Sequence, residues 1–280
     1  MIPAAGRRVA VVGHVEWVEF VSVARAPGSG EVVHATGAFQ RAAGGGAVAA
    51  SVLAELGAEV DFFCALGRDE QGRMALDQLA ARGIHAHVAW REEPTRRAVT
   101  LLEPGGERTI VTIGERLEAR GGDALEWGLL RDAAGVYFTA GDDGALRAAR
   151  AATVLVCSPR AHRAFGPARG IGEGVVVDAL VFSDHDAAEA AWARPLFAAS
   201  RLLVATEGTS GGRWWSEHDG GAAGRWSAAP PPGAVRDSYG CGDSFAAGLT
   251  FALAEGRPID EAVELGALCG SRCLTRDGAP

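Results

Sequence analysis

Residues 237–245 read Asp-Ser-Tyr-Gly-Cys-Gly-Asp-Ser-Phe, and the apolar residues from Phe245 to Leu253 follow at helical spacing until Gly256. The small residues of this turn allow a ligand close to the backbone, and the first amides of the helix favour an anion. A carboxylate at Asp243 can accept the proton of a hydroxyl beside that anion. The stretch therefore indicates phosphoryl transfer to an alcohol, unless Asp243 only caps the helix.

The remainder of the chain alternates short apolar runs with helical patterns. Helical spacing covers Val48–Leu56, which ends at Gly57, and Arg73–Arg82, which ends at Gly83. The apolar runs are Val9–Gly13, Val60–Leu66, Val136–Ala140, Val154–Cys157, Val175–Val177 and Leu202–Thr206. Short buried strands separated by helices predict an α/β fold whose parallel sheet is covered on both faces.

Two regions, residues 15–40 and 84–113, depart from this rhythm. The first has alternating segments that include Glu31–Ala35, and the second alternates from Ile84 to Trp90 and then reads as a hairpin around Pro104-Gly105-Gly106. We expect these strands to form a small antiparallel sheet outside the main core. Because the chain shows no internal repeat and no linker, residues 1–280 are predicted to be one domain.

Composition excludes several functional classes. All 27 basic residues are arginine, so a P-loop NTPase, a protein kinase and a Schiff-base enzyme each lack the lysine they need. A net charge of -8 without a basic tract argues against nucleic acid as a partner. Five scattered cysteines indicate reduced thiols in a cytoplasm, and the lack of a long apolar stretch argues against a membrane partner.

The sequence resembles the ribokinase-like (PfkB) family of carbohydrate kinases at two motifs. Residues 237–245 resemble the C-terminal signature, while Ala43–Gly46 and the segment running to Gly67–Gly72 resemble the N-terminal one. The resemblance spans nearly the whole chain. It implies a three-layer α/β/α fold with a mostly parallel sheet and a β-sheet lid, use of ATP and Mg²⁺, and a homodimer formed through the lid. It also implies that Asp243 is the catalytic base and that Gly240, Cys241 and Gly242 supply the anion hole.

The resemblance also suggests where the nucleotide binds. Thr206, Gly208 and Gly211 follow an apolar strand and match the loop that contacts ATP. Asp186 stands where the family has a glutamate for Mg²⁺, with Ser183 in the preceding asparagine position; the alternative is a helix cap by Ser183 or Asp184. Asp237 matches a position that binds a monovalent cation such as K⁺ in some members, or else it only forms a turn.

The residues expected to bind the substrate depart most from the family pattern. Gly44 and Gly45 match the di-glycine at the sugar, but Val18 stands where the family has an aspartate. The available carboxylates are Glu16 and Glu19, and Glu16 is the candidate, unless it is a solvated strand residue. Arg108 and Arg160 are candidate side-chain cations, although Arg108 has the alternative of pairing with a neighbouring acid.

These features predict an ATP-dependent carbohydrate kinase that phosphorylates a hydroxyl, preferably a primary alcohol, of a sugar-like small molecule. A nucleoside kinase of the same fold and a largely inactive sugar- or nucleotide-binding protein remain alternatives. The departures at the substrate residues keep the binding protein open, whereas the intact Gly-Cys-Gly-Asp turn at 240–243 favours an enzyme. A dehydrogenase of the Rossmann type is disfavoured because no G-x-G-x-x-G follows Val9–Gly13.

Overall fold

The computed structural model of the protein describes residues 6–161, 175–216, 220–278 and 280. The strands are β1 (Arg8–Val12), β2 (Glu16–Ser22), β3 (Gly37–Ala43), β4 (Glu59–Gly67), β5 (Ile84–Arg91), β6 (Arg97–Leu102), β7 (Arg108–Ile113), β8 (Gly135–Phe138), β9 (Val154–Cys157), β10 (Val177–Ser183), β11 (Ser200–Thr206), β12 (Gly212–Ser216) and β13 (Ala223–Trp226). The helices are α1 (Gly45–Glu55), α2 (Glu70–Ala81), α3 (Asp143–Ala149), α4 (Ala187–Ala193), α5 (Cys241–Ala254) and α6 (Ile259–Cys273). Short 3-10 turns include Pro159–Ala161, Arg194–Ala199 and Gly208–Ser210.

Within the described residues, nine strands form the central sheet in the order β13-β12-β11-β10-β9-β8-β1-β4-β5. The strands from β11 to β5 run parallel, and β12 and β13 extend the β11 edge in antiparallel fashion. The carboxyl ends of the parallel strands therefore meet at one edge of the sheet. In open α/β sheets this edge is where ligands bind.

Helices cover both faces of the central sheet. Val9 and Val11 of β1 pack in the core cluster that contains α1, α5 and α6, whereas Ala10 and Val12 pack in the cluster that contains α3. Because both faces are buried, successive residues of the inner strands are mostly apolar, which explains the continuous runs in the sequence. The three-layer α/β/α fold predicted from the sequence is confirmed.

The smaller sheet forms the lid, in the order β3-β2-β6-β7. Three features differ from the sequence expectation. β5 is paired parallel to β4 in the central sheet, because α2 makes a β-α-β crossover between them. Residues 31–35 are not in a strand, and the strand after β2 is β3 at Gly37–Ala43. The lid is also mixed, since β2 pairs parallel to β6 and antiparallel to β3.

The face of the lid that carries Val18, Phe20, Ala98 and Leu102 packs in a core cluster with Tyr239 from the loop before α5. The lid therefore lies directly over the glycine-rich turn at residues 240–242. None of the helices in the described part of the chain is long and apolar enough to cross a membrane.

Candidate active site

Asp243 lies in the first turn of α5, just beyond a glycine-rich turn. The N-cap residue is Gly240, whose φ of 76° is left-handed, and no side chain caps this helix. Asp243 is therefore not the helix cap, and its carboxylate makes another contact: Oδ1 accepts a hydrogen bond from the Tyr137 hydroxyl at 3.1 Å. The interpretation of Asp243 as a mere cap is wrong.

The N-terminus of a second helix, α1, also reaches the Asp243 carboxylate. A Cβ placed on Gly45, the first residue of α1, would lie 2.7 Å from Asp243 Oδ1. Only glycine permits this approach without moving the carboxylate. Two helix N-termini therefore converge on one side chain, and their dipoles favour negative charge there.

The three residues predicted to form the anion hole, Gly240, Cys241 and Gly242, line one cleft with Asp243. Cys241 N lies 3.5 Å from Ser238 O, which is a long and weak hydrogen bond. Amides in the first turn of a helix have no acceptor within the helix, so they are suited to an incoming anion. The Cys241 thiol packs instead beside the apolar cluster that contains Cys273.

Both candidate arginines reach the same cleft from different elements. Arg160 lies in the 3-10 turn after β9, and its Nη2 is 3.5 Å from Glu189 Oε2 in α4. Arg108, at the start of β7, donates a hydrogen bond to Ser238 Oγ, so its contact is a hydroxyl rather than a neighbouring acid. Ser238 Oγ in turn donates to Gly106 O at 3.3 Å, which joins the lid hairpin to the glycine-rich turn.

Glu16, Gly44 and Gly45 come together on the substrate side. Glu16 is only 7% exposed, so it is not a solvated strand residue, and its Oε1 lies 3.3 Å from Arg96 Nε and 3.5 Å from His14 Nε2. Gly45 N donates to His14 Nε2 at 3.4 Å, and Gly44 N donates to the Tyr239 hydroxyl at 3.1 Å. These contacts form a compact polar group beneath the lid.

Burial controls the charge of this group. It raises the pKa of Glu16, against the effect of Arg96 and Arg116, which lower it. Burial also lowers the pKa of His14 well below its usual value, and the guanidinium groups of Arg116 and Arg96 lower it further. His14 is therefore neutral at neutral pH. Glu19 points to the opposite face of the lid, where it lines a separate cavity with Trp17 and Gln40.

The predicted nucleotide loop follows β11. Thr206 lines the Asp243 cleft, and its hydroxyl donates to Phe182 O at 3.4 Å. Gly208 begins a 3-10 turn beside the start of α4, and Gly211 follows this turn. A Cβ on Gly208 would lie 3.5 Å from His185 Nδ1. This turn is braced by Glu207, which pairs with Arg213 at 3.2 Å and with Arg225 at 3.0 Å.

Two aspartates proposed as metal ligands also have structural roles. Asp186 is the N-cap of α4 and accepts from Ala188 N at 3.0 Å and Glu189 N at 3.1 Å, so the cap is Asp186 rather than Ser183 or Asp184. Asp237 is 1% exposed and accepts from Tyr239 N at 2.7 Å and Gly278 N at 2.6 Å. Each of its oxygens holds one backbone amide, so Asp237 ties the turn before α5 to the C-terminal segment.

Sequence reasoning did not find several residues that the fold brings to the site. They are His14, Arg96, Arg116, Tyr137, Ser158 and Glu189. His14, Arg116, Tyr137 and Ser158 lie at or just after the carboxyl end of a strand, Arg96 directly precedes β6, and Glu189 lies one helical turn beyond the cap of α4. Of these residues, Glu189 is the one whose place in the site the local sequence indicates, since it stands three residues after the capping Asp186, on the same face of the helix.

Comparison with known proteins places this fold in a class of kinases. The family model for pfkB family carbohydrate kinases matches residues 7–163 and 172–280. The chain belongs to this family and is a carbohydrate kinase. An ATP-dependent ribose-1-phosphate kinase of Halopiger xanaduensis is 29% identical over 293 aligned residues, covering 97% of this chain and 93% of that protein.

Solved structures share the fold. Arabidopsis thaliana ribokinase complexed with ribose and ATP superposes with a TM-score of 0.74 at 20% identity, covering 98% of this chain and 94% of that one. Adenosine kinase from Sinorhizobium meliloti superposes with a TM-score of 0.77 at 18% identity, covering 99% and 96%. These likenesses show that the chain has the ribokinase fold.

Proposed function

We propose that the protein transfers the γ-phosphoryl group of ATP to a hydroxyl, preferably a primary alcohol, of a sugar-like small molecule. The observation that carries this proposal is the position of Asp243. Its carboxylate stands at the meeting point of the α1 and α5 N-termini, with Gly45 on one side and Tyr137 on the other. A base and an anion site are therefore adjacent, as phosphoryl transfer to an alcohol requires.

In this mechanism Asp243 accepts the proton of the attacking hydroxyl. The amides of Gly240, Cys241 and Gly242 stabilise the charge on the transferred group, assisted by Arg160 and Arg108 from the cleft walls. Arginine is the side-chain cation available, since the chain has no lysine. The lid would exclude water, which competes with the substrate hydroxyl as an acceptor.

ATP would lie along the loop of Thr206, Gly208 and Gly211, with its phosphates directed at α5. Asp186 is exposed at the start of α4 and would hold Mg²⁺ through water. Within the described residues no cluster of three His, Cys, Asp or Glu side chains makes a metal cage, which fits an ion bound largely by phosphates and water. Such an ion neutralises charge on the phosphates. No step of the mechanism uses a monovalent cation.

On the acceptor side, Glu16 and the backbone of Gly44 and Gly45 would hold the sugar hydroxyls. The likeness to a ribose-1-phosphate kinase over 97% of the chain supports a pentose-sized substrate, with or without a phosphate. A second copy of the chain would pack against the lid. Support for this homodimer comes from the edge strand β7, where Ile110, Val111 and Ile113 are 42%, 55% and 42% exposed.

The test is turnover of ATP against a panel of pentoses, hexoses, sugar phosphates and nucleosides, with the products assigned by ³¹P NMR. We expect a phosphate ester on a sugar-like member, and Asp243→Asn should lower kcat by about 10²-fold or more. Asp77→Asn in α2 is the matched control, because it makes the same chemical change at an exposed position.

Other outcomes are equally informative. Phosphorylation of nucleosides alone would identify a nucleoside kinase. Ligands that raise the melting temperature without any turnover would instead indicate a binding protein. If Asp243→Asn keeps the parental rate on a confirmed substrate, Asp243 is not the base.

A further inference from the structure

Tyr137 is a buried phenol in direct contact with the proposed base. It lies on the central strand β8, is 2% exposed, and donates from its hydroxyl to Asp243 Oδ1 at 3.1 Å. An interior tyrosine needs a partner for its hydroxyl. Here the partner is the carboxylate that the reaction uses.

The local sequence explains how Tyr137 reaches Asp243. Alternate residues of β8 face α5. Gly135 lets the helix pack closely, since a Cβ added to Gly135 would lie 2.9 Å from Ala254 Cβ and 3.4 Å from Thr250 Cγ2. Two residues further along the same face, Tyr137 extends along the helix to its first turn. The strand and the helix thus hold the phenol and the carboxylate in a fixed relation.

The phenol remains a donor throughout the working pH range. Burial and the charge of Asp243 together raise the pKa of Tyr137 well above its usual value. Tyr137 donates to Oδ1 and Gly45 packs against the same carboxylate, so two neighbours fix the orientation of the Asp243 side chain.

Other charged and titratable groups face Asp243 from the surrounding elements. They are Glu16 on β2, Arg108 on β7, Arg160 after β9, Glu189 on α4 and Tyr239 before α5. α1 contributes Gly45, which has no titratable group. The hydrogen bond to the Asp243 carboxylate comes from Tyr137.

We propose that Tyr137 is a positioning residue for phosphoryl transfer, which orients the Asp243 carboxylate through the hydroxyl hydrogen bond. The proposal rests on the proposed role of Asp243 as the base. Removing the hydroxyl would let the carboxylate rotate away from the attacking hydroxyl of the substrate. The rate of phosphoryl transfer should then fall, whereas the binding of both substrates should not change.

The test compares kcat and KM of Tyr137→Phe with those of the parent enzyme. We expect kcat to fall about tenfold, with little change in KM for either substrate. Thr250→Val is the matched control, because it removes another buried hydroxyl from the α5 surface that faces β8, one that donates to Ala246 O at 2.7 Å. Its kcat and KM should match those of the parent.

A second measurement covers the case in which Tyr137→Phe does not fold. The chain has two tyrosines, so 3-fluorotyrosine incorporated into Tyr239→Phe protein labels Tyr137 alone. A fluorinated phenol is more acidic and donates more strongly, so kcat should rise relative to unlabelled Tyr239→Phe, with KM unchanged. If Tyr137 only fills space, the larger fluorinated ring should lower kcat instead.

The outcomes separate this proposal from the proposed function. If Asp243→Asn abolishes turnover but neither change at Tyr137 alters kcat, the base is right and the role of Tyr137 is wrong. If Asp243→Asn keeps the parental rate, the base itself is wrong and Tyr137 has nothing to position.

Discussion

Arg160 and Glu189 form an ion pair beside the proposed catalytic base, with Nη2 3.5 Å from Oε2. The glutamate is 5% exposed, whereas 49% of the arginine side chain is open to the cleft. Burial raises the pKa of Glu189, and the charge of Arg160 acts against that rise. Glu189 therefore holds the Arg160 guanidinium in the cleft of Asp243, where the phosphates of ATP would bind.

We predict that Arg160→Ala lowers kcat by about 10²-fold, because it removes a cation that acts on the developing charge. Glu189→Gln should lower kcat less, by about tenfold, since Arg160 stays present but loses its charged anchor. Steady-state kinetics with saturating acceptor and varied ATP would measure both effects.

Arg147→Ala is the control for that pair of variants. Arg147 pairs with Asp143 at 2.8 Å in α3, and both side chains are about half exposed at 51% and 47%. Exposed pairs of this spacing contribute about 0.3–0.5 kcal/mol, so the rate should be unchanged. Equal rates for Arg160→Ala and Arg147→Ala would contradict the role of Arg160.

Gly45→Ala should separate activity from stability. The added Cβ would lie 2.7 Å from Asp243 Oδ1, so the carboxylate must move, and we expect kcat to fall about 10²-fold. Alanine is the better helix former, so the melting temperature should change little. Gly128→Ala is the control, because nothing lies within 4 Å of its added Cβ. A fully active Gly45→Ala protein would show that the carboxylate has room to shift.

The parts of this site that sequence could predict are those within one continuous motif. The turn at 240–242 and Asp243 are adjacent in the chain and require small residues, so their pattern is visible without a fold. Tyr137 and His14 are single residues at the ends of apolar strands. Only the strand order β8-β1 brings Tyr137 to Asp243 and His14 to Gly45, and no local pattern encodes that order.

The lid gives a second example of structure that the sequence pattern did not predict. Alternation in β5 indicated one buried face, but it did not indicate which sheet buries that face. The crossover through α2 places β5 in the central sheet, because two parallel neighbouring strands such as β4 and β5 need a connection of this kind. Similarly, the pattern around Glu31–Ala35 suggested a strand, whereas the residues that pair with β2 are Gly37–Ala43.

The neutral state of His14 predicts a specific dependence of stability on pH. Burial lowers the pKa of His14 well below 6.5, so the unfolded chain takes up this proton first as the pH falls. The folded state therefore loses stability below pH 6.5, by at most about 1.4 kcal/mol per pH unit from this group. Urea unfolding of the parent and of His14→Gln at several pH values would measure it.

In His14→Gln this component is absent, so the loss of stability between pH 6.5 and lower pH should be smaller than in the parent. His34→Gln is the control, because His34 is exposed in the segment between β2 and β3. If the free energy of unfolding falls equally with pH in the parent and in His14→Gln, folding does not lower the pKa of His14 and the prediction is wrong.

Asp237→Asn tests whether the buried aspartate before the glycine-rich turn is a clamp or a cation ligand. The parental carboxylate accepts two backbone amides, from Tyr239 N at 2.7 Å and Gly278 N at 2.6 Å. An asparagine has one oxygen, so its amide group would face one of these N–H donors. We expect a loss of about 2–3 kcal/mol in the free energy of unfolding, because a buried donor is left unpaired. Urea unfolding should give the same loss in KCl and in choline chloride. Stabilisation of the parent by K⁺ alone, absent from Asp237→Asn, would instead make Asp237 a cation ligand.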